Sequence, residues 1–136
     1  MIQYMLDTNI VSYALRGRPI EIQQRFESAR ADSLVISAIT AAELRFWSEK
    51  RPGQSRFTAQ IEAFLERVPT LPWDATVAAV HGKLKARLFH AGRPLAELDM
   101  QIAAHALAGD FILVTHDAAF QKVPDLRTED WVASTR

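Results

Sequence analysis

The chain contains no cysteine, so neither a disulfide nor a thiolate metal site can take part in its chemistry. That suits a reducing compartment, and a cytoplasmic location is expected. No apolar run approaches the roughly 20 residues needed to span a bilayer. The first residues show neither the basic stretch nor the longer apolar core of a signal peptide. No membrane partner is therefore expected. Net charge is absent too, with 16 Lys and Arg against 16 Asp and Glu. A neutral chain exerts no global pull on nucleic acid, so any hold on RNA must come from local positive charge or from bound cations. Linkers, repeats and low-complexity segments are also missing.

What is present is enough for a core. The chain has 136 residues, 49% of them hydrophobic and 24% charged, and one domain over 1–136 is expected. Residues 2–6 form an apolar run short enough for a buried strand, and it stops abruptly at Asp7, Thr8 and Asn9. Short helices over 10–15 and 20–31 follow, separated by Gly17 as a left-handed helix end and by Pro19. Residues 33–37 read as a second strand. A helix over Ala38–Lys50 carries Ile39, Ala42, Phe46 and Trp47 at 0, +3, +7 and +8 of one face, with Glu43 at +4. After a loop over 51–54, a helix over 56–68 completes a helical hairpin. Residues 69–73 are extended, and Asp74 is placed to cap a helix over Ala75–His90. Asp99 opens a helix over 100–108, a third strand covers 111–115, and 123–131 ends in a short edge strand with Trp131 packed on the body. Strands alternating with helices imply an α/β fold, with a mostly parallel sheet of four to five strands and helices on both faces.

Four acids then stand out. Asp7 and Asp117 follow strands, where open α/β folds place their chemistry. Glu43 and Asp99 lie on apolar helix faces. Each has an ordinary alternative. Asp caps helices well, and Glu43 could snorkel to water or pair with Arg45 or Lys50. If the four converge, like charges raise one another's pKa and resist joint ionisation. A divalent cation would hold them ionised. Carboxylate oxygens without Cys or spaced His favour Mg²⁺, with Mn²⁺ possible, over Zn²⁺. Such an ion lowers the pKa of a bound water and stabilises charge on a phosphoryl oxygen. That chemistry is phosphodiester hydrolysis.

The same residues, taken in order, resemble the VapC-type PIN-domain ribonuclease toxins of type II toxin–antitoxin systems. The resemblance covers nearly the whole chain. It includes Met5 to Asn9 (MLDTN), Ala41 to Leu44 (AAEL), Gly92-Arg93-Pro94, Asp99 with Ile102 to Ala106 (IAAHA), Val114 to Asp117 (VTHD) and Leu126 to Trp131 (LRTEDW). It implies a three-layer PIN-like fold, a metal-dependent endoribonuclease and an acidic quartet of Asp7, Glu43, Asp99 and Asp117. Asp7 and Asp99 would be direct Mg²⁺ ligands, with Glu43 and Asp117 acting through water or a second ion, and Asn9 and Thr115 in positioning roles. It further implies cleavage of tRNA, in the subgroup most similar to this chain initiator tRNA at the anticodon stem-loop, with arrest of translation and growth. The implied partners are a VapB-type antitoxin, a second copy of the chain and larger assemblies of toxin with antitoxin. Phe46, Trp47 and Phe57 on the hairpin are candidate antitoxin anchors. One departure is that Asp117 is followed by two residues before Phe120, where close relatives have three.

Local positive charge for RNA is available at Arg16, Arg18, Arg45, Lys50 and Arg51, and again at Lys83, Lys85, Arg87 and Arg93. Competing readings fit less well. A phospho-acceptor receiver needs paired acids after its first strand and a late Lys. A haloacid-type phosphatase needs Asp at position 9, which is Asn. A degenerate PIN-like binding protein would not need all four acids.

Overall fold

Alternation along three short strands sorts the core into two halves. Met5, Val35 and Leu113 point to one side of the sheet, and Leu6, Ile36 and Val114 to the other; each is less than 5% exposed. Strands apolar on both faces demand cover on both faces, and the computed structural model, which describes residues 3–50, 53 and 55–132, supplies it. The strands are β1 (Tyr4–Leu6), β2 (Leu34–Ser37), β3 (Thr70–Leu71), β4 (Ile112–Val114) and β5 (Thr128–Glu129). They form one five-stranded sheet in the order β3-β2-β1-β4-β5, with every pairing parallel. β1 is central, with Met5 opposite both Val35 and Leu113.

The helices are α1 (Thr8–Arg16), α2 (Ile20–Ser28), α3 (Ala38–Lys50), α4 (Ser55–Arg67), α5 (Ala75–His90) and α6 (Glu97–Ala108). The α5–α6 pair covers one face of the sheet, through Val77, Leu84, Leu88, Ile102 and Ala106. The α1–α4 group covers the other, through Ile10, Ile22, Phe26, Leu44, Ile61 and Phe64. Trp131, 1% exposed, closes that second half against Tyr4, with ring centroids 5.6 Å apart. This is the three-layer architecture that the resemblance implies.

Capping largely sets the helix starts. Asp74 accepts from Val77 N at 3.1 Å and starts α5 as expected. Gly17 ends α1 at φ 69°, a left-handed conformation that glycine adopts without a Cβ penalty. Several boundaries differ from the sequence reading. The first strand begins at Tyr4 within the described residues, since residue 2 lies outside them. α1 starts at Thr8, because the Asp7 side chain caps it directly. α2 ends at Ser28, and a 3₁₀ turn follows over Ala31–Ser33. α6 starts at Glu97, so Asp99 sits inside its first turn and does not open the helix. The loop expected over 51–54 has only Gly53 among the described residues.

The expected core face of α3 turns inward only in part, with Ile39 and Trp47 half-buried against the core. Thr40 and Leu44, both fully buried, make the core stripe, whereas Phe46 is 59% exposed and Ala42 is exposed. Apolar side chains occupy more than one face of this helix. Its packing against α1, α4 and α6, rather than its own periodicity, selected which face went inside. Glu43 is accordingly half-buried beside the core stripe.

A buried polar contact ties the two halves together. His105 of α6 and Ser37 at the end of β2 are 4% and 0% exposed, and Nδ1 lies 2.8 Å from the Ser37 hydroxyl. The same hydroxyl accepts from Ile39 N at 3.1 Å. Burial lowers the His105 pKa, which keeps the ring neutral, with Nδ1 as acceptor for the serine proton. The start of α3 and the body of α6 are thus pinned to the same strand end.

Candidate active site

The sheet delivers β1 and β4 side by side, with Leu6 opposite Val114, so the residues that follow each strand meet at one edge. Asp7 N donates to Val114 O at 3.1 Å. The Asp7 carboxylate, 4% exposed, then does two things. It accepts from Ile10 N at 2.8 Å, capping α1, and it lines a pocket of about 210 Å³ together with Asn9, Glu43, Asp99 and Asp117. Capping and pocket-lining are not alternatives here; one side chain performs both. Asp117 likewise caps a 3₁₀ turn over Ala118–Lys122, accepting from Ala119 N at 2.9 Å, and still lines the pocket. The shortened turn therefore keeps it within reach, and Phe120 packs into the pocket wall behind it.

Electrostatics report the convergence independently of the pocket outline. Burial pushes the Asp7 pKa up from 3.8 to about 6, and the charges of Asp99 and Asp117 push in the same direction. Hydrogen bonds from Thr115 and from the Ile10 amide oppose the rise. Asp99 is also raised, first by burial and then by Asp117 and Glu43. All four acids are thus coupled, directly or through one another. Carboxylates this close resist joint ionisation unless a cation is present.

Two hydroxyls hold the acids in place. Thr115, 4% exposed, donates to Asp7 and accepts from Asp117 N at 3.1 Å, so one side chain joins the acids after β1 and β4. Thr8 Oγ1 lies 2.6 Å from Glu43 Oε1 and 3.2 Å from Thr40 Oγ1. A hydroxyl has one proton; given to the nearer carboxylate, it leaves Thr8 accepting from Thr40. This contact aims Glu43, in place of the alternative pairing with Arg45 or Lys50. Arg45 pairs instead with Glu62 at 2.7 Å, and Lys50 lies over the Phe46 ring. Asn9 is exposed on the rim.

Sequence reasoning missed Thr40, Trp47 as a pocket wall, Leu98 and Ile102. Thr40 had a signal, since Thr40 and Leu44 stand four apart, but a threonine does not score as apolar. Thr8→Val preserves shape and removes the hold on Glu43. It is expected to lower RNA cleavage about tenfold, in the range found for groups that orient metal-binding side chains. Steady-state cleavage assays beside a thermal melt test this; unchanged cleavage would show that Glu43 needs no aiming.

The donor set suits a hard cation, being all carboxylate oxygen. Among the described residues, no three acidic or histidine side chains stand close enough to hold an ion by themselves. Mg²⁺ asks for less than that. It takes one or two carboxylates and fills the rest of its octahedron with water and substrate oxygen. The carboxylates that line the pocket therefore suit such an ion by donor type. No helix among the described residues is long and apolar enough to cross a membrane.

Comparison with known proteins agrees with this fold. The PIN domain family model matches residues 4–126. A curated relative, "Ribonuclease VapC2" of Haemophilus influenzae, is 44% identical over 133 residues, covering 97% of this chain and 100% of its own. "tRNA(fMet)-specific endonuclease VapC" of Shigella flexneri is 37% identical over 132 residues, covering 96% and 99%. Among solved structures, the DNA-bound VapBC complex of Salmonella typhimurium superposes with a TM-score of 0.89 at 33% identity, covering 96% of this chain and 99% of the other.

Proposed function

The chain belongs to the PIN-domain family, in its VapC ribonuclease branch, and from that premise we propose that it is a divalent-metal-dependent endoribonuclease acting as the toxin of a toxin–antitoxin pair, with Mg²⁺ or Mn²⁺ held by Asp7 and Asp99. The observation that carries the proposal is the meeting of Asp7, Glu43, Asp99 and Asp117 around one pocket at the C-terminal edge of β1 and β4. When bound, the ion supplies an acidified water and a positive charge for the phosphoryl oxygen.

The remaining work falls to the chain's own side chains. Asp7, held by Ile10 N and Thr115, and Asp99, in the first turn of α6, present oxygens from two elements that meet at the pocket. Glu43, aimed by Thr8, and Asp117, held through Thr115, stand where a carboxylate can accept a proton from the attacking water or position it. Asn9 on the rim is placed to donate to a phosphate. Trp47, Leu98, Ile102 and Phe120 give the pocket apolar walls, which strengthen charge interactions beside them.

The substrate we propose is tRNA, with initiator tRNA as first choice, supported by the name of the Shigella relative. Cleavage of that tRNA would halt translation and growth in the cytoplasm. The partner we propose is a VapB-type antitoxin, supported by the VapBC complexes among the structural neighbours. Phe46, exposed on the α3–α4 hairpin, is the most accessible of the three suggested anchors. Homodimers and larger complexes with antitoxin are part of the same proposal. Inducing the protein and mapping new RNA 5′ ends, with Asp7→Asn as control, tests the substrate. Purified protein is expected to lose cleavage in EDTA and regain it with Mg²⁺ or Mn²⁺. Cleavage that persists in EDTA would sink the metal reading.

A further inference from the structure

The carboxylate pocket that cuts RNA is itself negative, and the chain as a whole is neutral. A polyanion needs a grip elsewhere. Of the cations expected near the site, Arg45 is committed to Glu62, and Arg51 lies outside the described residues. On α5, Lys85 pairs with Glu97 at 3.0 Å and Arg87 with Asp125 at 3.7 Å.

A cleft of about 810 Å³ lies between the end of α1 and the start of α4, lined by Arg16, Arg18, Arg56, Tyr13 and Phe57, with no acid among the described residues of its walls. All three arginines are exposed, and among the described residues none is ion-paired. Arg16 lies over the Tyr13 ring, 5.4 Å from its centroid, at cation–π distance.

Both walls lead back to the cutting pocket. α1 is capped by Asp7 and ends at Arg16, nine residues on, or about 13 Å of helix. The α4 wall is tied to α3 where Ser48 and Thr58 hydroxyls meet at 2.9 Å, next to Trp47, which lines the pocket. We propose that this cleft is a second RNA-holding site, in which Arg16, Arg18 and Arg56 take backbone phosphates of the strand whose neighbouring phosphodiester lies in the carboxylate pocket. Planar guanidinium groups match phosphate bidentately, and unstacked bases pack on aromatic or guanidinium planes, here Tyr13, Phe57 or Arg16. The proposal rests on the ribonuclease reading and adds where the substrate is gripped.

The test uses full-length protein and a mixed-sequence single-stranded RNA 12-mer, followed by fluorescence anisotropy over a salt series, with RNA integrity checked on a gel. Arg16→Ala/Arg56→Ala, one from each wall, is expected to weaken binding about tenfold or more and to reduce the log Kd against log salt slope by about 1.4, two phosphates at roughly 0.7 each. In cleavage assays KM is expected to rise more than kcat falls. Arg16→Lys/Arg56→Lys is expected to keep the slope, because charge is retained, and Arg30→Ala, whose side chain pairs with Asp32 ahead of β2, to change neither quantity. If wild-type protein cuts the RNA but the double alanine variant, folded by its melting curve, keeps both Kd and slope, the cleft proposal falls and the ribonuclease reading stands. If the variant instead loses only binding to its antitoxin, the cleft is a protein site and the proposal is overturned. If wild-type protein neither binds nor cuts RNA, both readings fall.

Discussion

Asp7→Asn is expected to abolish RNA cleavage and, at the same time, to make the metal-free protein more stable at pH 7. The loss follows from removing a carboxylate proposed to hold the ion, whose transition-state charge stabilisation is worth several kcal/mol; at 1.36 kcal/mol per tenfold, the activity falls by about 10²-fold or more. The gain follows from linkage. The Asp7 pKa is raised in the folded protein from 3.8 to about 6, so folding favours the neutral acid. A raised folded-state pKa contributes stability that is complete below the unfolded value and is lost as pH rises through the folded value.

At pH 7 the ionised Asp7 therefore destabilises the metal-free fold, by up to about 3 kcal/mol at 1.36 kcal/mol per pH unit. Asparagine removes that charge and still caps α1, since Asn serves as well as Asp at this position. Thermal melts in EDTA should show the variant several degrees above wild type at pH 7, with the gap closing as pH falls from 6 toward 4. Mg²⁺ should raise the melting temperature of wild type, through binding to the folded state, and leave the variant nearly unmoved. A variant that melts below wild type at pH 7 would mean that burial and crowding of Asp7 exact no penalty.

Asp99→Asn is expected to cut as deeply into activity as Asp7→Asn, whereas Asp117→Asn should cost less. Asp99 is half-buried in the first turn of α6 and coupled to Asp117 and Glu43. As the proposed direct ligand, on a helix joined to β2 by the His105–Ser37 contact, Asp99 has no substitute among its neighbours. Asp117 is exposed and its carboxylate is already engaged at Ala119 N, so it is better placed to orient water than to hold the ion. We expect roughly 10²-fold or more loss of kcat for Asp99→Asn, by the same charge argument. About tenfold is expected for Asp117→Asn, as for groups that orient a site rather than bind in it. Single-turnover cleavage at saturating Mg²⁺ separates the two. Equal losses would promote Asp117 to a ligand, and a mild Asp99 variant would remove Asp99 from the ion.

Much of this was legible in the chain. The alternation of strands and helices, the two-faced apolar strands, the Asp74 cap and the Gly17 terminus are local matters, dictated by side-chain period and backbone preference over a few residues. The acids at the ends of β1 and β4 could be read the same way, because a strand that stops at a carboxylate announces its own edge. Asp7 could not be classed as cap or pocket residue from the sequence, since it is both, and only the meeting of β1 with β4 makes the second use possible.

The tertiary structure decided the rest. Which face of α3 turns inward depended on α1, α4 and α6. Periodicity chose Ile39, Ala42, Phe46 and Trp47, and packing chose Thr40 and Leu44. Glu43 owes its direction to a threonine 35 residues away. Asp99 owes its height to a helix that begins three residues earlier than its sequence suggested. The chain alone thus determined the residue types and the strand edges, through local chemistry. The convergence of four acids in one pocket, and of three arginines in one cleft, arises from contacts between elements distant in sequence, which no local pattern encodes.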